Sequence, residues 1–246
     1  MTRRRVHTGV PGLDRMLGGG FLPSSVVLVR GAPGTGKTSL SLQFLIHGAV
    51  EEDEPGLLIT FEEFPSSLYR DAQSLGWDLE ELERQGKLHL MFTSPEVFLA
   101  GLEMPGSPLD RVLQEANIRR VVLDSATHFN RLTSDKQDLR HIYTRVANGL
   151  RREGVTSILL GEETSSELRR ADKGGLSFIV DGIILMRYVE IESAIQRAIL
   201  VLKLRGSDHQ KEIRRYEIRE GGLVVTDVFE GREGLLTGTP YSYRAA

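Results

Sequence analysis

The 246-residue chain contains no cysteine. Disulfides, thiolate metal sites and a catalytic thiol are excluded, and the composition suits a reducing compartment such as the cytoplasm. A dominant charge is also missing: 31 Lys and Arg against 34 Asp and Glu leave a net charge of −3. That balance supplies no bulk attraction to nucleic acid or to anionic membranes. No apolar run approaches the roughly 20 residues that cross a bilayer. The basic stretch from Thr2 to Arg5 is not followed by a signal-type apolar core, so no membrane association is expected. Aromatics are few, and the one tryptophan, Trp77, is expected to pack rather than to recognise a partner.

What the chain does have is alternation. Apolar runs of strand length lie at Ser25–Arg30, Leu57–Phe61, Leu88–Phe92, Arg120–Asp124 and Val155–Leu160. Helical patterns fall between them. Pro65 to Leu75 is one, Asp78 to Gly86 is a second with an Asp cap and a stop glycine, and Leu139, Ile142, Tyr143, Val146 and Leu150 mark the face of a third. Residues 94–108 hold Pro95, Gly101, Pro105, Gly106 and Pro108, which predicts a long surface loop. Beyond residue 176 only strand patterns remain, near 179–188, 197–205, 213–219 and 223–228, separated by tight turns. Near-continuous apolar strands separated by helices indicate an α/β fold with a mainly parallel central sheet covered on both faces. The C-terminal part reads as an antiparallel extension, and with no linker in sight residues 1–246 are expected to form one domain.

The most specific motif is Gly31, Ala32, Pro33, Gly34, Thr35, Gly36, Lys37 and Thr38, which fills every fixed position of G-x-x-x-x-G-K-[ST]. A strand precedes it, and a helix containing Ser39 follows. The glycines let the backbone curl so that N–H groups face a β- or γ-phosphate, and the helix N-terminus adds positive potential. Lys37 can set an ammonium against the phosphates, and the Thr38 hydroxyl can hold Mg²⁺. The stretch from Gly31 to Ser39 is therefore the expected binding site for a nucleoside triphosphate.

Three further groups carry chemistry. Asp124 closes an apolar strand, so it sits at the mouth of the sheet, where a carboxylate can hold Mg²⁺ through its water shell. Glu62 and Glu63 follow the strand that ends at Phe61. Either they include a general base for attack on the γ-phosphate, or they are a solvated pair capping the helix that Pro65 opens. Lys203 and Arg205 are two apart on a strand and share a face. They can neutralise charge on a transferring phosphoryl group, or form a solvated basic face.

The stretch Thr8-Gly9-Val10-Pro11-Gly12-Leu13-Asp14, then Leu17 to Gly20, then the phosphate loop, resembles the KaiC/RadA branch of the RecA-like ATPases. Thr60 to Glu63, Asp124-Ser125, Ile183 to Glu190 and Leu202 to His209 narrow the resemblance to the KaiC-like group, essentially from end to end. It implies a RecA-like P-loop core assembled as a homohexameric ring, with ATP and Mg²⁺ between subunits. It also implies that Glu62 and Glu63 are the catalytic acidic pair. Lys203, Arg205 and His209, with Ser207 in the same stretch, would reach a nucleotide on the neighbouring subunit. Where self-phosphorylating members carry an adjacent Ser-Thr pair, this chain has Ser177-Phe178. Phe178 cannot accept phosphate, which leaves Ser177 as the candidate phosphosite.

The expected function is thus a Mg²⁺-dependent ATPase, with possible serine autophosphorylation, whose ring switches with nucleotide state and signals to an unidentified protein partner. The alternative is an ATP-dependent module that binds single-stranded DNA. Paired arginines at 119–120, 151–152, 169–170 and 214–215 would line its pore. The acidic balance and the scarcity of aromatics near these pairs argue against nucleic acid.

Overall fold

The computed structural model describes residues 4–162, 175–230, 232–233, 235 and 241–242. The first half of the chain folds as α1 (Leu13–Met16), β1 (Val26–Gly31), α2 (Lys37–Glu51), β2 (Gly56–Thr60), α3 (Pro65–Ser74), α4 (Leu79–Arg84) and β3 (Leu88–Phe92). Then come α5 (Pro95–Glu103), α6 (Pro108–Glu115), β4 (Arg120–Asp124), a 3₁₀ turn over Ala126–Arg131, α7 (Lys136–Arg152) and β5 (Thr156–Glu162). The last part holds α8 (Leu176–Ile179), β6 (Gly182–Ile191), β7 (Ala194–Leu204), β8 (Arg214–Arg219), β9 (Gly222–Val228) and a short pair, β10 (Arg232–Glu233) with β11 (Tyr241–Ser242).

Alternate residues of the same strands face opposite sides, and here both sides are apolar. Val27, Val29, Leu58, Val122, Ile158 and Leu160 join one core, beneath α2, α3 and α4. Val26, Leu28, Leu57, Ile59, Val121, Leu123 and Leu159 join the other, beneath α5, α6 and α7. A strand buried on both faces has to sit inside a covered sheet, as parallel strands do. The sheet has nine strands in the order β3-β2-β4-β5-β1-β6-β7-β8-β9. From β3 to β6 all neighbours are parallel, and from β6 to β9 all are antiparallel. The expected mainly parallel sheet with an antiparallel C-terminal extension is what is found.

The expected loop over 94–108 is mostly helix. Ser94 and Ser107 are side-chain caps, accepting from Val97 N and Asp110 N, and each is followed by a proline in the first helical turn. Proline there loses no hydrogen bond, because the first N–H groups of a helix have no intrahelical partner. Gly101 lies inside α5, where a Cβ would meet the Leu109 Cβ at 3.4 Å, so the helix hairpin packs tightly across it. Prolines that read as loop punctuation are helix starts.

The extension is bolted to α2 by one side chain. Gln43 donates to Gly9 O at 2.8 Å and to Leu223 O at 3.2 Å, and accepts from Leu223 N at 2.8 Å. The N-terminal segment is held the same way: Asp14 accepts from Thr8 N at 2.8 Å, and Val6 bridges Phe21.

Candidate nucleotide site

β1 delivers the loop at the C-terminal end of the parallel strands. A Cβ on Gly31 would stand 2.5 Å from Met186 O and 2.6 Å from Thr35 Oγ1, so nothing larger fits. Gly34 and Gly36 take φ of 77° and 90°, the left-handed region that glycine enters at little cost. Thr35 is buried, and its hydroxyl donates to Ala32 O at 2.8 Å. The Tyr216 hydroxyl donates to Thr35 O. The Tyr188 hydroxyl lies beside Gly34, 2.8 Å from where a Cβ would be. Two tyrosines of the extension thus back the loop from β6 and β8, while Pro33 and Gly34 remain exposed at its crest. Ser39 sits half-buried in the first turn of α2.

Lys37 Nζ donates to Gly31 O at 2.9 Å and to Ala32 O at 3.1 Å, inside the curl of the loop. Burial pulls its pKa down, and the carboxylates of Asp124 and Glu162 act against that. Thr38 Oγ1 donates to Asp124 Oδ2 at 2.9 Å. Burial pushes Asp124 up, opposed by that hydrogen bond and by Lys37. A hydroxyl and a carboxylate meeting at the open end of a sheet are hard oxygen donors of the kind Mg²⁺ takes.

Glu162 was not among the sequence candidates. It ends β5, level with Gly31 on the adjacent strand, and its backbone N–H donates to Thr127 Oγ1 at 2.9 Å. The signal that marks Asp124, an acid closing an apolar strand, marks Glu162 as well once the strand is followed two residues past Leu160.

The two glutamates after β2 separate. Glu62 accepts from Arg131 Nη2 and lies 3.3 Å from His128 Nδ1. Glu63 is half-buried; burial, then Asp124, pushes its pKa up. Neither caps α3, whose N-cap is Phe64 without a side-chain bond. Register puts Thr60 beside Asp124, so the pair leaves the sheet at the same mouth as the loop.

Lys203 and Arg205 lie elsewhere. Gly31 pairs with Met186, whereas Lys203 pairs with Ile183, three residues toward the other end of β6, roughly 10 Å. Lys203 Nζ donates to Ser177 O and Val180 O, both at 2.8 Å, and burial lowers its pKa. Arg205 donates to Phe178 O and Ile179 O, and Arg151 also donates to Ile179 O. The cations grip the carbonyl end of α8. They share a face, as expected, but not the face of their own phosphate loop. Ser177 is half-buried on that same turn, and Phe178 is 69% exposed. Ser207 accepts from Arg5 at 2.7 Å, and His209 N donates to Asp208 Oδ1 at 2.9 Å. Neither bond involves the loop.

The arginine pairs do not form one basic track. Arg120 is fully buried over the Phe44 ring, Arg151 pairs with Asp181 at 3.0 Å, and Arg215 lies over Phe229. Residues 169–170 lie outside the described residues. Among the described residues no helix is long and apolar enough to cross a membrane. Trp77 is partly buried against the core.

A family profile described as "ATPase: KaiC" matches residues 6–229. The circadian clock oscillator protein KaiC of Thermostichus vulcanus is 38% identical over 239 residues, which are 96% of this chain and 45% of that protein. Circadian clock oscillator protein KaiC 1 of a Synechocystis species is 35% identical with the same coverage. The chain therefore spans less than half the length of these relatives. A crystal structure of a KaiC-like protein from the archaeon Pyrococcus horikoshii superposes with a TM-score of 0.80 at 32% identity, covering 91% of this chain and 99% of that one.

Proposed function

Because the chain belongs to the KaiC ATPase family, we propose that it binds ATP with Mg²⁺ at the Gly31–Ser39 loop and hydrolyses it. The observation that carries this reading is the Thr38–Asp124 hydrogen bond beside Lys37 at the open end of the sheet. Thr38 and Asp124 would hold Mg²⁺, which when bound supplies positive charge against the phosphate oxygens. Lys37 would exchange its two loop carbonyls for phosphate oxygens, an acceptor of opposite charge in place of neutral ones. Glu62 and Glu63 are the pair from which the base that orients the attacking water comes. Glu63, held up in pKa near Asp124, is poised to accept a proton, and Glu62 would first leave Arg131.

Lys203 and Arg205, with Ser207 and His209, would serve a nucleotide on a neighbouring copy, because the register turns them away from their own loop. We place that contact in a homohexameric ring, the assembly the family resemblance implies, each copy contributing one such domain, in the cytoplasm. Loss of the γ-phosphate removes charge from that junction, which supplies a switch for a protein partner to read. Ser177, on the turn gripped by Lys203, would take phosphate only from such a neighbour.

The test follows free phosphate and protein-bound label together, with purified chain, Mg²⁺ and γ-labelled ATP. Free phosphate without protein label is expected of an ATPase. Stable label lost in Ser177→Ala would make it an autokinase, and the absence of both free phosphate and label would overturn the reading.

A further inference from the structure

At the far end of α2 from the phosphate loop, three side chains converge that the ATPase reading does not use. His7 precedes the Thr8–Asp14 turn, His47 lies in the last turns of α2, and Glu52 caps that helix. One donor atom from each lies within 4.8 Å of the others. His7 Nδ1 is 2.8 Å from Glu52 Oε1, and His47 Nε2 is 3.7 Å from the same oxygen. We propose that His7, His47 and Glu52 form a site for a divalent transition-metal ion of the zinc type.

The spacing fits the chemistry. Bonds of about 2.0–2.1 Å in a tetrahedral shell put neighbouring ligand atoms roughly 3.3 Å apart, between the two separations observed. Two imidazoles and one carboxylate suit Zn²⁺, Co²⁺ or Ni²⁺, whereas Mg²⁺ and Ca²⁺ take oxygen shells. His47 Nε2 is a buried nitrogen with no hydrogen-bond partner. A buried polar atom left so is costly, and a metal would satisfy it. His47 is also fixed in place: a Cβ on Gly9 would fall 2.3 Å from its Cβ, so the backbone packs directly onto the histidine. Nearby Arg120 is matched by Glu54 at 2.8 Å and does not oppose a cation unaided. His7 is about half exposed, which leaves room for water to complete the shell.

Such an ion would staple the segment before Thr8 to the end of α2, about 22 Å along the helix axis from Lys37. Its task is structural and separate from the Mg²⁺ chemistry.

Titration of tag-free, chelator-treated protein with Zn²⁺ by calorimetry, and with Co²⁺ by visible absorption, tests the assignment. One saturable Zn²⁺ equivalent, Co²⁺ bands of a low-coordinate site and a rise in melting temperature are expected. His47→Gln and His7→Asn should each weaken binding at least about tenfold, while Asp124→Asn leaves it intact. His7→Asn alters a half-exposed residue, and its circular dichroism should match the parent chain. No saturable binding, or affinity unchanged in both histidine variants, or affinity lost only in Asp124→Asn, would overturn the proposal.

Discussion

Thr38 Oγ1 and Asp124 Oδ2 are 2.9 Å apart, which ties the first turn of α2 to the end of β4 across the intervening strand β5. The carboxylate is kept there against a burial penalty that pushes its pKa up. A carboxyl buried at such a cost beside a phosphate loop marks function ahead of stability. Asp124→Asn keeps the shape and can still accept from Thr38. It should fold with an equal or higher melting temperature, while Mg²⁺-dependent phosphate release falls by at least about tenfold. Thermal unfolding and a phosphate assay on one preparation check both halves.

Lys203 and Arg205 point to the end of the sheet opposite Gly31. If they act on a neighbour's nucleotide, two defects on different subunits can complement. Arg205→Ala and Lys37→Ala should each be inactive alone. Mixed, they should recover part of the activity, because some interfaces combine an intact loop with an intact arginine. Turnover of the mixture with mixed assemblies verified by mass is the measurement, and no recovery would count against a shared site.

The loop, Asp124 and the apolar strands of the parallel core were legible because each rests on local chemistry: a filled motif, an acid closing an apolar strand, an apolar run. Residues 94–108 misled for an equally local reason. Pro95 and Pro108 are helix starts only because Ser94 and Ser107 cap those helices and Leu99 and Leu109 have a core to bury against. Glu162 needed two more residues of strand than apolar character alone marks. The spacing of Lys203 and Arg205 reports a shared face but not which end of the sheet it occupies, and only the family resemblance turned them from their own loop. The burial of Arg120 was hidden too, because a guanidinium enters a core only where Gly48, Phe44 and Glu54 meet it.

Glu62 is held by Arg131 and His128, whereas burial, and then the charge of Asp124, pushes the Glu63 pKa up. Glu62→Gln and Glu63→Gln should both bind ATP as the parent does. Turnover should fall by about 10²-fold or more in the residue that takes the proton. Arg131→Ala releases Glu62 and should not lower turnover. Comparing nucleotide affinity by calorimetry with single-turnover hydrolysis separates binding from chemistry, and full activity in both Gln variants would remove the pair from the mechanism.

Tyr216 reaches from β8 to Thr35 O, a buried hydrogen bond between the extension and the phosphate loop. Burial pushes its phenol well up, so it is a neutral donor at any assay pH. Tyr216→Phe removes only the hydroxyl and leaves the Thr35 carbonyl short of a partner, at a cost of about 1–3 kcal/mol. The chain should stay folded with a lowered melting temperature and bind ATP several-fold more weakly. An effect on stability alone would show that the bond braces the fold and not the loop.

Gly48 lies in the last turn of α2, where alanine would ordinarily be favoured over glycine by up to about 0.5–1 kcal/mol. Here a Cβ would stand 2.2 Å from Arg120 Nε and 2.4 Å from its Cδ. Arg120 is fully buried and donates to Glu54 at 2.8 Å, His7 O at 2.8 Å and Phe44 O at 2.9 Å, so it has nowhere to yield. Breaking a buried ion pair costs about 3–5 kcal/mol, which outweighs the helix gain. Gly48→Ala should therefore destabilise the chain by about 2–4 kcal/mol in denaturant unfolding. Arg120→Met removes the obstructing guanidinium, so the double variant should be clearly more stable than the two single losses added together. Simple additivity would mean that Gly48 and Arg120 act apart, and that the missing Cβ has another purpose than housing a buried cation.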